Sequence, residues 1–217
     1  SLIETKVDRI WISIDGIGDV HNKIRRHSNA YELTSSAVKK LVALKKNCNS
    51  KYPGIVITTV INNLNINNIE DVCNEYCKDY IDEVAIAHNF FYTIDMVNKH
   101  NSIYKDGKYF LSKNNASGGD FVNSHDINTD LLNESLNKVL EKFKNYNLRI
   151  YPSEIIGKNK IHSYYHEPYK PLNDLKTCSS PWKMPEIHPD GTMKFAWKCF
   201  NITTGDLKKN DFLDLWN

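Results

Sequence analysis

Three kinds of residue in this chain carry chemistry by type and spacing. The first is cysteine, at positions 48, 73, 77, 178 and 199. Cys73 and Cys77 are spaced like the first two thiols of a Cys-x3-Cys-x2-Cys iron–sulfur loop, but Tyr80 stands where the third would fall. Thiolates hold iron or zinc when several converge. Two of them on one helical stripe with Ile69, Val72 and Tyr76 read instead as small buried hydrophobes. Cys178 and Cys199 flank Pro189-Asp-Gly191, with His188 nearby, and form a metal-site candidate. Cys48 reads as a loop thiol. The second kind is the polar group that ends an apolar run: Ser13 and Asp15, Asn62 and Asn63, His88 and Asn89. The third is Arg25, whose planar fork of donors suits a carboxylate.

Those residues need elements to hold them. In 8–15, Ile10, Ile12 and Ile14 alternate with Trp11, Ser13 and Asp15, the period of a strand. Gly16 and Gly18 follow, and are expected to loosen the next loop. Tyr31, Val38, Leu41 and Val42 predict an amphipathic helix over 29–46. Residues 55–61, Ile-Val-Ile-Thr-Thr-Val-Ile, read as a strand covered on both faces. Asn67 and Glu70 resemble a capping box opening a helix with Ile69, Val72, Cys73, Tyr76, Cys77 and Tyr80 on one stripe. Residues 83–88 predict a third strand. Strand, helix, strand, helix, strand implies parallel pairing with right-handed crossovers, and in parallel barrels the site lies at the carboxyl ends of the strands.

Beyond this the chain changes character. Residues 97–128 are rich in Asn, Lys and Ser, and read as a polar excursion, a candidate lid. Asp130 is placed to cap a helix carrying Leu132, Leu136, Val139, Leu140 and Phe143. Residues 147–152 predict another strand, and 157–177 a linker. In the last forty residues, strands over 184–188 and 192–197 flank the Pro-Asp-Gly turn. Gly205-Asp206 reads as a further turn, and Asp211 as the cap of a short helix over 212–216.

Composition bounds the function. The 217 residues are 41% hydrophobic, enough for one substantial core, and the formal charge of +2 makes no case for nucleic acid or a membrane surface. No apolar run approaches the roughly 20 residues that span a bilayer. The odd cysteine count argues for a reducing, cytoplasmic setting over a disulfide framework.

Two separated stretches carry a resemblance. Ile12-Ser-Ile-Asp-Gly16 followed by His21-Asn-Lys-Ile-Arg25 and a helix resembles the fourth strand and following loop of radical S-adenosylmethionine (radical SAM) enzymes. Cys178, Pro181-Trp182, Ile187-His-Pro-Asp-Gly191, Gly205-Asp-Leu207 and Leu215-Trp-Asn217 are similar to the SPASM or twitch extension that follows that barrel in many members. The resemblance implies an α/β chain in three parts. Residues 1–156 form a partial parallel (β/α) barrel, about strands 4–6 of the family's barrel, with an insertion at 97–128. A linker follows at 157–177, then a small α+β SPASM/twitch-like domain at 178–217. On this reading the chain is a C-terminal fragment beginning in mid-fold.

The resemblance further implies S-adenosylmethionine and a [4Fe-4S] cluster as cofactors. Members cleave the former to a 5′-deoxyadenosyl radical that abstracts a substrate hydrogen, often from a peptide or protein side chain. A flavodoxin or ferredoxin serves as reductant. Carried over by motif position, Ser13 hydrogen-bonds S-adenosylmethionine and Arg25 pairs with its carboxylate. Asp15 is the strand-end acid, and Asn62 or Asn63 lies where the next strand nears the cofactor. Two departures follow. The Cys-x3-Cys-x2-Cys loop is missing, so this chain alone is expected to be inactive. The extension holds only Cys178 and Cys199, with Ala196 near a ligand position. Two thiolates cannot complete a [4Fe-4S] cluster, and the alternative is a cluster-free fold with a core of Trp182, Trp197 and Phe195. The competing expectation for function is a degenerate, non-catalytic module that binds a peptide or protein partner.

Overall fold

A computed structural model describes residues 2–103, 126–167, 183, 185–195 and 202–216. Strands β1 (Arg9–Ser13), β2 (Gly54–Val60), β3 (Glu83–Ala87) and β4 (Leu148–Tyr151) pair in parallel in the order β1-β2-β3-β4. The protein is thus mixed α/β. The spatial order follows the chain order without reversal. The helices between the strands are α1 (Asp19–Arg25), α2 (Ala30–Asn47), α3 (Ile69–Tyr76), α4 (Ile94–Ile103) and α5 (Thr129–Lys142); α6 (Lys158–His166) follows β4.

The core explains these elements. Ile14, Ile55, Ile57 and Ile86 are sealed from solvent. Val38 and Val42 of α2, Val72 and Cys73 of α3, and Leu132, Leu136 and Val139 of α5 are buried at helical spacing. Each such aliphatic side chain contributes about 1.5–3 kcal/mol by leaving water. The alternate residues of β1 face the other way: Trp11 is 53% exposed, and Arg9 and Ser13 are exposed too. At the amino end of the sheet Glu83 is buried, where it accepts from Tyr151 Oη at 2.9 Å and from Arg9 Nη1 at 3.4 Å.

Several local expectations are corrected. No capping box forms at Asn67. A 3-10 turn, Ile66–Asn68, moves the start of α3 to Ile69. Asn68 spends its side chain on Ile17 N–H and on Asp71 instead. The cap of α5 is Asn128, whose Oδ1 accepts from Leu131 N–H at 3.0 Å; Asp130 lies inside the first turn. The stretch read as a linker contains α6, because Ile161 and Tyr165, four residues apart, are both fully buried. The stretch read as a polar excursion opens inside α4, and its continuation over 104–125 lies outside the described residues. Gly16 does not loosen its loop. A Cβ there would stand 2.6 Å from Val20 Cγ1 and 2.9 Å from Asn68 Oδ1, so close packing requires glycine.

The chain divides into two compact units, residues 1–89 with 126–172, and residues 90–125 with 173–217. The parallel sheet belongs to the first. In the second, β5 (Pro185–Ile187), β6 (Thr192–Phe195) and β7 (Ile202–Asp206) form an antiparallel sheet, with the Pro-Asp-Gly turn joining β5 to β6. Gly205 and Asp206 end β7, so the expected turn comes just after them. Helix α7 (Phe212–Trp216) is capped as expected, with Asp211 Oδ1 accepting from Leu213 N–H at 2.9 Å. Leu215 of α7 lies against Gly205, where a Cβ would meet its Cδ2 at 2.4 Å. Among the described residues no helix is long and apolar enough to cross a membrane.

Candidate functional site

The carboxyl ends of β1 and β2 form one hydrogen-bonded cluster. Asp15, two residues past β1, is 3% exposed. Its Oδ1 accepts from Val60 N–H at 2.9 Å, and its Oδ2 pairs with Arg25 Nη2 at 2.7 Å. Its own N–H donates to His21 Nδ1 at 3.0 Å. Asn65 Nδ2 donates to both Asp15 O and Val60 O, each at 2.8 Å, and Asn65 Oδ1 accepts from Asn62 N–H at 2.9 Å. The buried carboxylate of Asp15 and the amide of Asn65 are thus both partnered, as an unpaired buried group costs about 1–3 kcal/mol.

Local sequence explains how the parts arrive. Arg26 takes a left-handed conformation and ends α1, returning its N–H to Asn22 and Lys23 carbonyls. That stop leaves Arg25 on the last turn, beside Asp15. Asn22 Oδ1 then accepts from Tyr31 N–H at 2.8 Å, serving a first-turn donor of α2 that has no partner within the helix. His21 is buried, and burial lowers its pKa, with Asp15 opposing and Arg25 adding. Because Nδ1 accepts a backbone proton, the neutral ring carries its own proton on Nε2.

Two of the residues singled out by sequence, Asp15 and Arg25, are in direct contact. Ser13 ends β1 on the exposed face and registers with Thr58, whose Oγ1 is buried with no partner among the described residues. Asn62 spends its amide locally, whereas Asn63 reaches the segment before α5. Asn62 donates to Val60 O and accepts from Leu64 N–H, while Asn63 donates to Asp126 O. The amide that organises the loop is Asn65, fully buried and passed over by sequence reading. The run Asn62-Asn63-Leu-Asn65 signalled amides at this strand end without saying which one turns inward.

The end of β3 differs in kind. His88 is 6% exposed; Nε2 lies 2.9 Å from Ile155 O and Nδ1 lies 3.0 Å from Tyr165 Oη. A carbonyl only accepts, so the proton is on Nε2, and Nδ1 accepts from the tyrosine. Burial lowers the pKa to about 4. Tyr164 Oη donates to Asn89 O at 2.8 Å, and burial pushes that phenol up to about 12. The β3 end is a neutral, sealed junction with α6, unlike the charged β1–β2 end.

Of the cysteines, Cys73 and Cys77 are buried as expected for core residues. The Cys77 thiol and then burial push Cys73 above the usual thiol range. Cys48 is exposed. Cys178 and Cys199 lie outside the described residues, as do Pro181, Trp182, Ala196 and Trp197. Among the described residues no group of three or more His, Cys, Asp or Glu is placed to hold a metal ion. No protein-family model, curated protein or solved structure matches the chain.

Proposed function

We propose that this chain is the C-terminal part of a radical SAM enzyme with a SPASM/twitch extension, acting on a peptide or protein side chain. The observation that carries the reading is the Asp15–Arg25 pair at the carboxyl edge of a parallel sheet in sequential strand order. The pair joins the strand and loop halves of the resembling motif. The unreversed order suits consecutive strands of a barrel better than a doubly wound sheet, whose order reverses at its binding crevice.

The residues fit the cofactor in part. Arg25 is 40% exposed and gives one Nη to Asp15, which leaves guanidinium donors for a ligand carboxylate. Ser13 is exposed on this sheet face and suited to a polar ligand group; the Thr58 hydroxyl beside it in register is unpartnered among the described residues but buried. Asn62 and Asn63 support the reading less, since Asn62 uses its amide on Val60 O and Asn63 uses its amide on Asp126 O. On this reading Ser13 and Arg25 hold S-adenosylmethionine, and Asp15 orients Arg25. The cofactor, with its [4Fe-4S] cluster, supplies hydrogen-atom abstraction. The 217 residues hold no Cys-x3-Cys-x2-Cys run for that cluster. An auxiliary cluster on Cys178 and Cys199 needs borrowed ligands. His188 Nε2, buried without a partner among the described residues, is one candidate.

The test is anaerobic reconstitution of the complete gene product, read by iron content and 5′-deoxyadenosine release. Iron near four per chain and release abolished in Arg25→Ala support the proposal. Absence of both points to the non-catalytic peptide-binding module.

A further inference from the structure

We propose that His162 and His166 form a two-imidazole site for a divalent transition cation such as Ni2+ or Zn2+ on the exposed side of α6. The inference is independent of the radical SAM reading. The two residues are four apart in one helix and therefore share a face. Both are exposed, and their ring centroids are 4.7 Å apart with the planes tilted by 49°.

That separation is what chelation needs. With metal–nitrogen bonds of about 2.05 Å and a further ~1.1 Å from nitrogen to ring centre, two imidazoles at 90° have centroids about 4.5 Å apart. At the tetrahedral angle the same construction gives about 5 Å. The observed spacing falls between the two, so binding requires only side-chain rotation.

The backbone beneath is fixed. Ile161 and Tyr165 are fully buried on the opposite side of α6, and the hydroxyls of Tyr164 and Tyr165 engage Asn89 O and His88. The helix cannot roll the histidines inward without breaking these contacts. The local field is also suitable. Lys158, one turn before His162, is neutralised by Asp130 at 2.9 Å, and the Asp130 carboxylate is close enough to His162 to be influenced by it. With two protein ligands and the remaining positions left to water, affinity belongs in the micromolar range rather than that of a four-ligand structural zinc.

The experiment is calorimetric titration of the full chain, stripped by chelator, with NiCl2 and separately with ZnCl2. It is repeated on His162→Ala and His166→Ala, whose exposed positions leave the core intact, as circular dichroism verifies. Expected is a saturable site in the wild type that weakens at least tenfold in each variant. Saturating metal should also raise the wild-type melting temperature and leave the variants unmoved at that site. Absence of saturable binding, or equal affinity in wild type and both variants, overturns the proposal and reduces the ring contact to packing.

Discussion

Acid should loosen this protein through His88 before it protonates the carboxylates. In the folded chain both ring nitrogens are engaged, Nε2–H by Ile155 O and Nδ1 by the Tyr165 hydroxyl, and burial holds the pKa near 4 against 6.5 for a free imidazole. As pH falls below 6.5 the unfolded chain takes up a proton that the folded chain refuses until about pH 4. The stability supplied by the neutral ring is therefore complete above pH 6.5 and is lost as pH falls toward 4. That gap amounts to roughly 3 kcal/mol, a large share of a typical domain's stability. Urea unfolding of the wild type and His88→Gln at several values between pH 7 and 4 isolates this contribution. The wild-type curve should fall more steeply by roughly 3 kcal/mol in total over that range. Parallel curves for the two proteins, or a His88 ring resonance titrating near 6.5 in the folded protein, would refute the reasoning. Tyr165→Phe is a companion: it strips Nδ1 of its donor and should cost about 1–3 kcal/mol at pH 7.

Three further outcomes follow from the Asp15 cluster. Gly16→Ala forces a Cβ against Val20 and Asn68 and should destabilise by about 1–3 kcal/mol, read as a lower melting temperature. Asn65→Ala leaves the carbonyls of Asp15 and Val60 and the N–H of Asn62 without its amide. It should cost about 2–4 kcal/mol in urea, well beyond the effect of Asn63→Ala. Arg25→Met leaves the Asp15 carboxylate with Val60 N–H; because the arginine is 40% exposed, the expected loss is about 1–2 kcal/mol, shrinking as salt is added to the wild type.

The sheet was legible because strands and helices announce themselves by period. Ile10, Ile12 and Ile14 repeat every two residues, and Leu132, Leu136 and Val139 at helical spacing; the helical set and Ile14 are buried, while Ile10 and Ile12 are half-buried. The Asp15–Arg25 contact was approached only through motif resemblance, since nothing in the spacing of two residues ten apart fixes an ion pair. Asn65 and Asn128 were missed for a common reason. Which amide of a run turns inward depends on where the neighbouring strand or helix leaves an unpaired N–H or carbonyl, and that is a fact of three dimensions. Helix α6 was missed because Tyr164, Tyr165 and nearby prolines read as loop, while the pair Ile161 and Tyr165 is too short a pattern to outweigh them.

The same comparison separates the polar strand ends, which look alike in sequence. Ser13, Asp15, Asn62, Asn63, His88 and Asn89 all stand where parallel strands finish. At β3 the loop is answered by two tyrosines of α6, which have hydroxyls to give and no charge, so the histidine is fixed neutral and closed off. At β1 the answering group is an arginine on the last turn of α1, long enough to reach a buried carboxylate while keeping part of its guanidinium in water. The guanidinium at β1 stays partly in water, whereas the imidazole at β3 is neutral and buried. Which strand end keeps a solvent-reachable charge is thus decided by how far the partnering side chain reaches toward solvent. The polarity of the strand-end residue does not decide it.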